Sequence, residues 1–500
     1  MQNRLNRFRS REAREKGFAI VLTTLALTVM IPVVGLGIDA SLMYGIKARI
    51  TSAADAAAIS SARNLSVGQT IAQQESNALS TATRFFDANF PPGSFLTNST
   101  RTITPTVAET AYRTRTVTVD VSVTAPTLFM RYLNPSAVTV RTLGKASRRD
   151  VNVVMVVDRS GSMNGNGGCP AMKSAVTAFA SRFANFRDRV GLVSFSTDYR
   201  TDFALQNPPG DFQNGTTGIP AKATAITCVG ATGTAAAYWQ GYEQLKTINE
   251  QGALNVILLM TDGQPTALPF NFSAPIDGWG YNAIRWNLTA PAPQKYTRSA
   301  SLSFDANTSR SPCADTANKS GIAFVYSSGN NLGGIYNPAT GVRIAAAGCR
   351  FSTTESNLSQ DLAFLPDTDT FGTSINSSLY KSTTKWPAGH PDAGRVVSNQ
   401  AAVLVNAAMN TVANAAIRMR NNETAAGELN TITYSIGFGN DVGEPEFDML
   451  RRAANVDDLA HPNNMYDSSK PAGFFVYAPT TSALNEAFFK IASEILRLAK

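Results

Sequence analysis

Apolar positions along this chain change their period several times, and each change predicts a different element. Phe18 to Ile38 is 21 residues without a charge. At 1.5 Å per residue a helix of that length covers about 32 Å, enough to cross a hydrocarbon core, and Pro32 is tolerable inside such a helix. Ile46 to Asn64 switches to a helical stripe, with Ile46, Ile50, Ala53, Ala54, Ala57 and Ala58 on one face. The stripe predicts either an amphipathic helix packing on its own domain or one long assembly helix continuous with the apolar segment. Thr116 to Thr124 reads TVTVDVSVT, an alternation that predicts a half-buried strand. Ala137 to Leu143 is its candidate partner, and Leu128, Phe129, Tyr132 and Leu133 between them suggest a short apolar turn or helix.

Beyond residue 150 the pattern is that of an α/β domain. Val151 to Val157 (VNVVMVV) and Asn255 to Met260 (NVILLM) are apolar without alternation, as in strands covered on both faces of a parallel sheet. A helix is expected from about Pro170 to Phe186, since proline suits the first helical turn. Further strands are expected at Arg189 to Phe195, Thr201 to Leu205 (a short edge), Thr431 to Gly437 and Phe474 to Tyr477. Helices are expected at about Ala235 to Thr247, Asn399 to Arg420 and Ser482 to Leu498. Strands alternating with helices give a doubly wound, mostly parallel, Rossmann-like sheet. Residues 264–397 interrupt it with a stretch rich in Ser, Thr, Asn, Gly and Pro that carries Trp279, Tyr281, Trp286 and Trp386. A structureless loop of that length is improbable inside a compact domain, so a subdomain at the same face is expected, its aromatics filling its own small core.

Five hundred residues accommodate two or three domains with a sizeable core. The net charge of +8 is modest, and much of the excess lies before the apolar segment, at Arg4, Arg7, Arg9, Arg11, Arg14 and Lys16. No large basic patch suggests nucleic acid. Cations ahead of the segment and Asp39 behind it instead predict a cytoplasmic N-terminus. The segment exceeds the apolar core of a cleaved signal peptide, about 7–15 residues, which favours a retained anchor. The expected organisation is a basic cytoplasmic leader (1–17), a transmembrane helix (18–38), an alanine-rich helix (39–65), a small α+β linker module (66–149) and the α/β domain (150–500). The expected location is a bacterial inner membrane crossed once, with the bulk of the chain periplasmic or extracellular.

The chemistry concentrates at two strand ends. Asp158-Arg159-Ser160-Gly161-Ser162 follows the first apolar run and Thr261-Asp262-Gly263 the second. Residues at the carboxyl ends of such strands border the crevice where open α/β sheets bind ligands. Two hydroxyls and two carboxylates converging there make an all-oxygen site suited to a hard divalent cation. By contrast, no HExxH, GxSxG, Walker A or CxxC motif occurs, and the two histidines, His390 and His461, stand in loop contexts. An enzyme is not expected. Four cysteines in an oxidising compartment are expected to pair. A Cys169–Cys228 bond would tie the first strand-end loop to the loop before Ala235, leaving Cys313 with Cys349, but three connectivities are open on sequence alone.

The DxSxS string with the later TDG resembles the metal-ion-dependent adhesion site of von Willebrand factor A domains. The resemblance implies Ser160 and Ser162 as direct ligands, Asp158 and Asp262 acting directly or through water, and a threonine from Gly230-Ala231-Thr232-Gly233-Thr234. Thr232 is the better match and Thr234 the alternative. The implied metal is Mg²⁺, with Mn²⁺ or Ca²⁺ as substitutes, and the implied partner is a protein offering Asp or Glu to the ion. The first 65 residues, with SAADAAA following the apolar segment, resemble TadG-type proteins of the Flp/Tad pilus-assembly system. Together these imply a membrane-anchored adhesion or assembly component working with pilus and secretion proteins. The competing class is an A-domain co-chaperone or chelatase-type adaptor beside an ATPase, against which the anchor and the cysteines argue.

Overall fold

The computed structural model describes residues 2–94, 101–132, 137–196, 199–250, 253–272, 319–325 and 332–336, short stretches between 369 and 396, and residues 401–421, 429–439, 444–457 and 466–499. The chain forms two units, one of residues up to Arg148 and one of Arg149–Ala499, with Gln69–Ile71 in the second.

The first unit is built on one continuous helix, α1 (Gln2–Asn64). From Ile20 to Ile38 its large apolar side chains face outward, and its apolar window has a mean hydropathy of 2.2. The hydroxyls of Thr24 and Thr28 donate to the carbonyls of Ile20 and Thr24, at 2.8 and 2.7 Å. These polar groups are therefore satisfied within the helix, as an apolar surrounding requires. Further along, Ile46, Ile50, Ala53, Ala54, Ala57 and Ala58 are buried. They share a core with Ala78, Ala82, Phe86 and Phe90 of the α2 region (helix Ile71–Asn89 and the residue after it) and with Val117, Val119, Val121 and Val123 of β2 (Thr114–Pro126). The stripe thus packs within its own unit, while the helix that carries it is also continuous with the apolar segment.

Strand β2 lies at the centre of a three-stranded sheet, between β1 (Arg101–Ala111) and β3 (Ala137–Arg149). A Cβ on Gly144 of β3 would stand 2.5 Å from the carbonyl oxygen of Ala54. Glycine facing an alanine stripe is what lets strand and helix backbones approach so closely. Asp39, buried at the end of the apolar segment, accepts hydrogen bonds from the backbone N–H groups of Leu128, Phe129 and Met130 at 2.8, 2.9 and 2.6 Å. Burial alone would raise this carboxyl's pKa, but the three donors hold it below its ordinary value.

The second unit centres on a six-stranded sheet. Its elements are β4 (Val151–Asp158), α3 (Gly168–Ala180), β5 (Arg189–Phe195), β6 (Tyr199–Phe203), α4 (Ile219–Thr224), α5 (Thr234–Ile248), β7 (Leu254–Thr261), α6 (Ala401–Arg420), β11 (Thr431–Phe438), α7 (Glu444–Ala453), β12 (Phe475–Ala478) and α8 (Thr481–Leu498). The strand order is β12-β11-β7-β4-β5-β6. All neighbours are parallel except β5 and β6. Successive residues of β4 explain its unbroken apolar run. Val153, Met155 and Val157 join the core beneath α3 and α8, whereas Val154 and Val156 join the core beneath α5, α6 and α7. Strand β7 divides in the same way, Leu258 and Met260 to one side, Ile257 and Leu259 to the other. The fold is the expected doubly wound α/β architecture of the von Willebrand factor A type.

Two boundaries differ from expectation. Helix α3 ends at Ala180, not Phe186, although Phe183 and Ala184 continue the buried pattern. The Asp188 carboxylate takes the Ala184 and Val151 N–H groups, at 2.5 and 3.0 Å, and Phe186 has φ of 62°. The chain is therefore turned rather than helical. The edge strand β6 stops at Phe203, because the Leu205 N–H donates to Gln244 Oε1 at 2.9 Å instead of to the ladder. Within the 264–397 insertion, β8 (Ala267–Phe272), β9 (Lys319–Val325) and β10 (Leu332–Tyr336) form an antiparallel three-stranded sheet. Trp279, Tyr281, Trp286, Trp386, His390, His461, Cys313 and Cys349 lie outside the described residues.

Candidate functional site

After β4 the chain passes to β5 and β6 on one side, then returns to place β7 on the other. The carboxyl ends of β4 and β7 therefore flank the topological switch point of the sheet, where open α/β folds have their ligand crevice. Asp158 ends β4, and Thr261 ends β7 with Asp262 next.

Hydrogen bonds bring the predicted oxygens together. Ser160 Oγ and Ser162 Oγ are 2.9 Å apart. Both approach one carboxylate oxygen of Asp262, Ser162 at 2.8 Å and Ser160 at 3.3 Å. Asp158 is wholly buried beneath them. One of its oxygens accepts from the Ser160 N–H at 2.7 Å and the other from Thr261 Oγ1 at 2.6 Å. Burial therefore grades from Asp158 and Ser160 at the floor to an exposed Ser162 at the mouth.

Three loops are stapled around this cluster. Gly161 N–H donates to Gly230 O at 2.9 Å and Val229 N–H to Arg159 O at 2.8 Å. Asn164 Nδ2 donates to Cys228 O at 2.7 Å, and a Cys169–Cys228 disulfide closes the same pair of loops. Gly230 takes φ of 102°, a left-handed conformation that glycine adopts without steric cost. Thr232, buried, donates its N–H to Thr266 Oγ1 at 2.9 Å, and its carbonyl accepts from the N–H groups of Thr266 and Ala267. The Thr232 loop is thus fastened to the loop that carries Asp262. Thr234, the first residue of α5, is fully buried with a hydroxyl that has no hydrogen-bond partner among the described residues.

The electrostatics are those of a place that needs positive charge. Burial, and then the neighbouring Asp262 carboxylate, push Asp158 up to about 7 from an ordinary 3.8. Among the described residues no cation is paired with Asp158. Two nearly enclosed carboxylates backed by hydroxyls can relieve their repulsion by taking up a proton or a small hard cation. No group of three or more His, Cys, Asp or Glu side chains placed to hold a metal ion occurs among the described residues. Any metal here would consequently depend on hydroxyl oxygens, and Asp158, Ser160, Ser162 and Asp262 offer the donor set for one.

The strand-end motifs identify these four residues but not the residues that hold them in place. Thr261, the donor to Asp158, was legible only as part of TDG. Its position at a strand end beside a carboxylate is the signal that could have identified it. Asn164 and Thr266, which fix the other loops, carry no such signal.

Residues 153–264 match the family model of the von Willebrand factor type A domain, and residues 17–64 match that of the putative Flp pilus-assembly TadE/G-like proteins. No curated protein matches the chain. Among solved structures, the chain is similar to the pilus adhesin SpaC from Lactobacillus rhamnosus GG, with 14% identity over 80% of this chain and 35% of that one, and a TM-score of 0.34. It spans about a third of that protein's length. It is also similar to the PilB minor pilin from Streptococcus sanguinis, with 14% identity, 81% and 80% coverage and a TM-score of 0.35. A third is the vWF domain of the type V pili tip protein Mfa5 from Porphyromonas gingivalis, with 16% identity, 71% and 98% coverage and a TM-score of 0.35.

Proposed function

We propose that the chain is a membrane-anchored, metal-dependent protein-binding component of a Flp/Tad-type pilus system. Its A domain docks an acidic partner residue through a bound divalent cation. The observation that carries this reading is the cluster at the switch point, where two serine hydroxyls meet the Asp262 carboxylate above buried Asp158 and, among the described residues, no cation is paired with Asp158.

Ser160 and Ser162 would hold the ion through their hydroxyls, Asp158 and Asp262 directly or through water, and Thr232 from the stapled loop. Mg²⁺ suits this oxygen set best, with Mn²⁺ or Ca²⁺ as substitutes. The bound ion supplies an open, under-neutralised coordination position that attracts a partner's Asp or Glu. The chain's own contribution is to hold the oxygens in place. The Asp158 hydrogen bonds fix the floor, the Gly161–Gly230 and Val229–Arg159 bonds fix the loops, and exposed Ser162 leaves the mouth open.

The exposed apolar stretch of α1 and the TadE/G-like match over residues 17–64 support an anchor in the inner membrane with the A domain on the periplasmic or extracellular side. Tethering raises the local concentration of the binding site beside pilus and secretion assembly components.

Affinity purification of the tagged full-length chain from pilus-expressing cells tests the proposal. Partners should be retained in Mg²⁺, released by chelator, and absent from a Ser160→Ala, Ser162→Ala variant that remains in the membrane. Identical recovery from parent and variant in both media would refute metal-dependent docking.

A further inference from the structure

The apolar turn after β2 is a second feature directed at the membrane, in addition to the helix. Leu128 and Phe129 are 39% and 37% exposed, two adjacent large apolar side chains on the turn between β2 and β3. They follow β2, whose buried apolar residues end at Val123 and Ala125, and they precede the 3-10 turn Met130–Tyr132. Their position relative to α1 is tightly fixed. Asp39 takes the N–H groups of Leu128, Phe129 and Met130 in succession. One helical turn earlier, a Cβ on Gly35 would lie 2.6 Å from both Cβ and Cγ of Phe129. Only glycine at position 35 lets Phe129 lie against the helix. Four residues apart on one face, Gly35 and Asp39 form a socket for this turn.

Gly35 lies inside the apolar segment, three residues before its end at Ile38. At 1.5 Å per residue, Phe129 packs about 4–5 Å inside the apolar boundary. Around it the outward side chains of α1, Val33, Val34, Leu36 and Ile38, are all exposed. The exposed part of Phe129 is therefore continuous with the surface of the helix assigned to the bilayer, and Leu128 is its neighbour in the turn.

We propose that the Leu128–Phe129 turn inserts into the outer leaflet of the same membrane, with acyl chains and the glycerol region as its ligand. The inference rests on the membrane-anchor reading of α1. Insertion depth of this kind is what interfacial apolar groups reach, about 5–10 Å. The turn acts as a wedge beside the emerging helix: the helix alone can rotate about its axis, whereas helix and turn together fix which face of the first unit lies on the lipid.

The test uses the full-length chain in phosphatidylcholine vesicles, with or without bromine on the acyl chains near the glycerol end. Single tryptophans are introduced as Phe129→Trp, Leu128→Trp, Leu25→Trp and Tyr112→Trp, and emission is read as the difference from the parent chain. Leu25 reports the span, and Tyr112, 79% exposed in the β1–β2 turn, reports water. The expected result is strong bromine quenching at 25, 128 and 129, with none at 112. Quenching at 25 with undiminished emission at both 128 and 129 would overturn the wedge and leave the anchor standing. Undiminished emission at 25 would overturn the anchor reading, and the wedge with it.

Discussion

Replacing Asp262 by Asn should change the stability of the A domain in opposite directions depending on whether a divalent cation is present. Asn Oδ1 still accepts from Ser162 and Ser160, so the hydrogen bonds at 2.8 and 3.3 Å have an acceptor and only the charge is lost. Without a cation, Asp158 is held up to about 7, first by burial and then by Asp262. The folded state therefore keeps a proton that the unfolded chain releases near pH 4, and stability falls as pH rises from about 4 through 7. One pKa unit corresponds to about 1.4 kcal/mol, so the net rise from 3.8 to about 7, after the lowering effect of the Ser160 and Thr261 hydrogen bonds, costs about 4 kcal/mol. Removing the Asp262 charge takes away the second of the two raising causes, on the order of one pKa unit or about 1–2 kcal/mol. In chelator at pH 7.5 the variant should melt above the parent by about 2–4 °C, and the gap should close as pH falls towards 4. In Mg²⁺ at a hundredfold excess over Kd the parent gains about 2.7 kcal/mol. The variant gains little, and the order reverses. Differential scanning calorimetry of the full chain in detergent, across pH and with or without Mg²⁺, reads both arms. The same order of melting in both media would refute the reasoning.

Thr234→Val removes a buried hydroxyl that lacks a partner; it should raise thermal stability by the equivalent of about 1 kcal/mol and leave Mg²⁺ affinity unchanged, whereas Thr232→Val should weaken binding. A loss of Mg²⁺ affinity in Thr234→Val would transfer the ligand role to it. Cys169 and Cys228 should appear as a linked pair in non-reducing peptide mapping of envelope protein. The Cys169→Ser, Cys228→Ser variant should lose up to about 4 kcal/mol, the loop-closure value for a 59-residue separation, and bind Mg²⁺ more weakly as the two loops separate. Equal affinity in parent and variant would show that backbone bonds alone set the loops.

Residues whose burial follows a simple period were legible in the sequence. The unbroken runs of β4 and β7 announced strands covered on both faces, and β2's alternation announced a half-buried one. The alanine stripe of α1 was visible too, but not its destination: Ala54 packs against Gly144, some ninety positions away, and no local pattern encodes that approach. Helix α2 is not legible in the apolar pattern because its buried positions include Gln74 and Thr81 beside Ala78, Ala82 and Phe86. Gln74 accepts from buried Arg115 rather than marking a surface. Strand β1 has four threonines and only two large apolar residues, Ile103 and Val107, and none of its residues is fully buried, so its hydrophobic signal is weak. The apolar period overstates the length of α3 because Phe183 continues it through a turn held by Asp188. At the site, the oxygens were found because strand-end motifs place them, while Thr261, Asn164 and Thr266 act through tertiary hydrogen bonds that sequence spacing does not reveal.

The central claim is that Asp158, Ser160, Ser162, Thr232 and Asp262 hold one divalent cation. Titration of the full-length chain with Mn²⁺, following the electron paramagnetic resonance signal of the free ion, tests it most directly. The account predicts a single saturable site per chain, emptied by competing Mg²⁺ and missing from Asp262→Asn. Binding that fails to saturate, or that is equal in parent and variant, would contradict it.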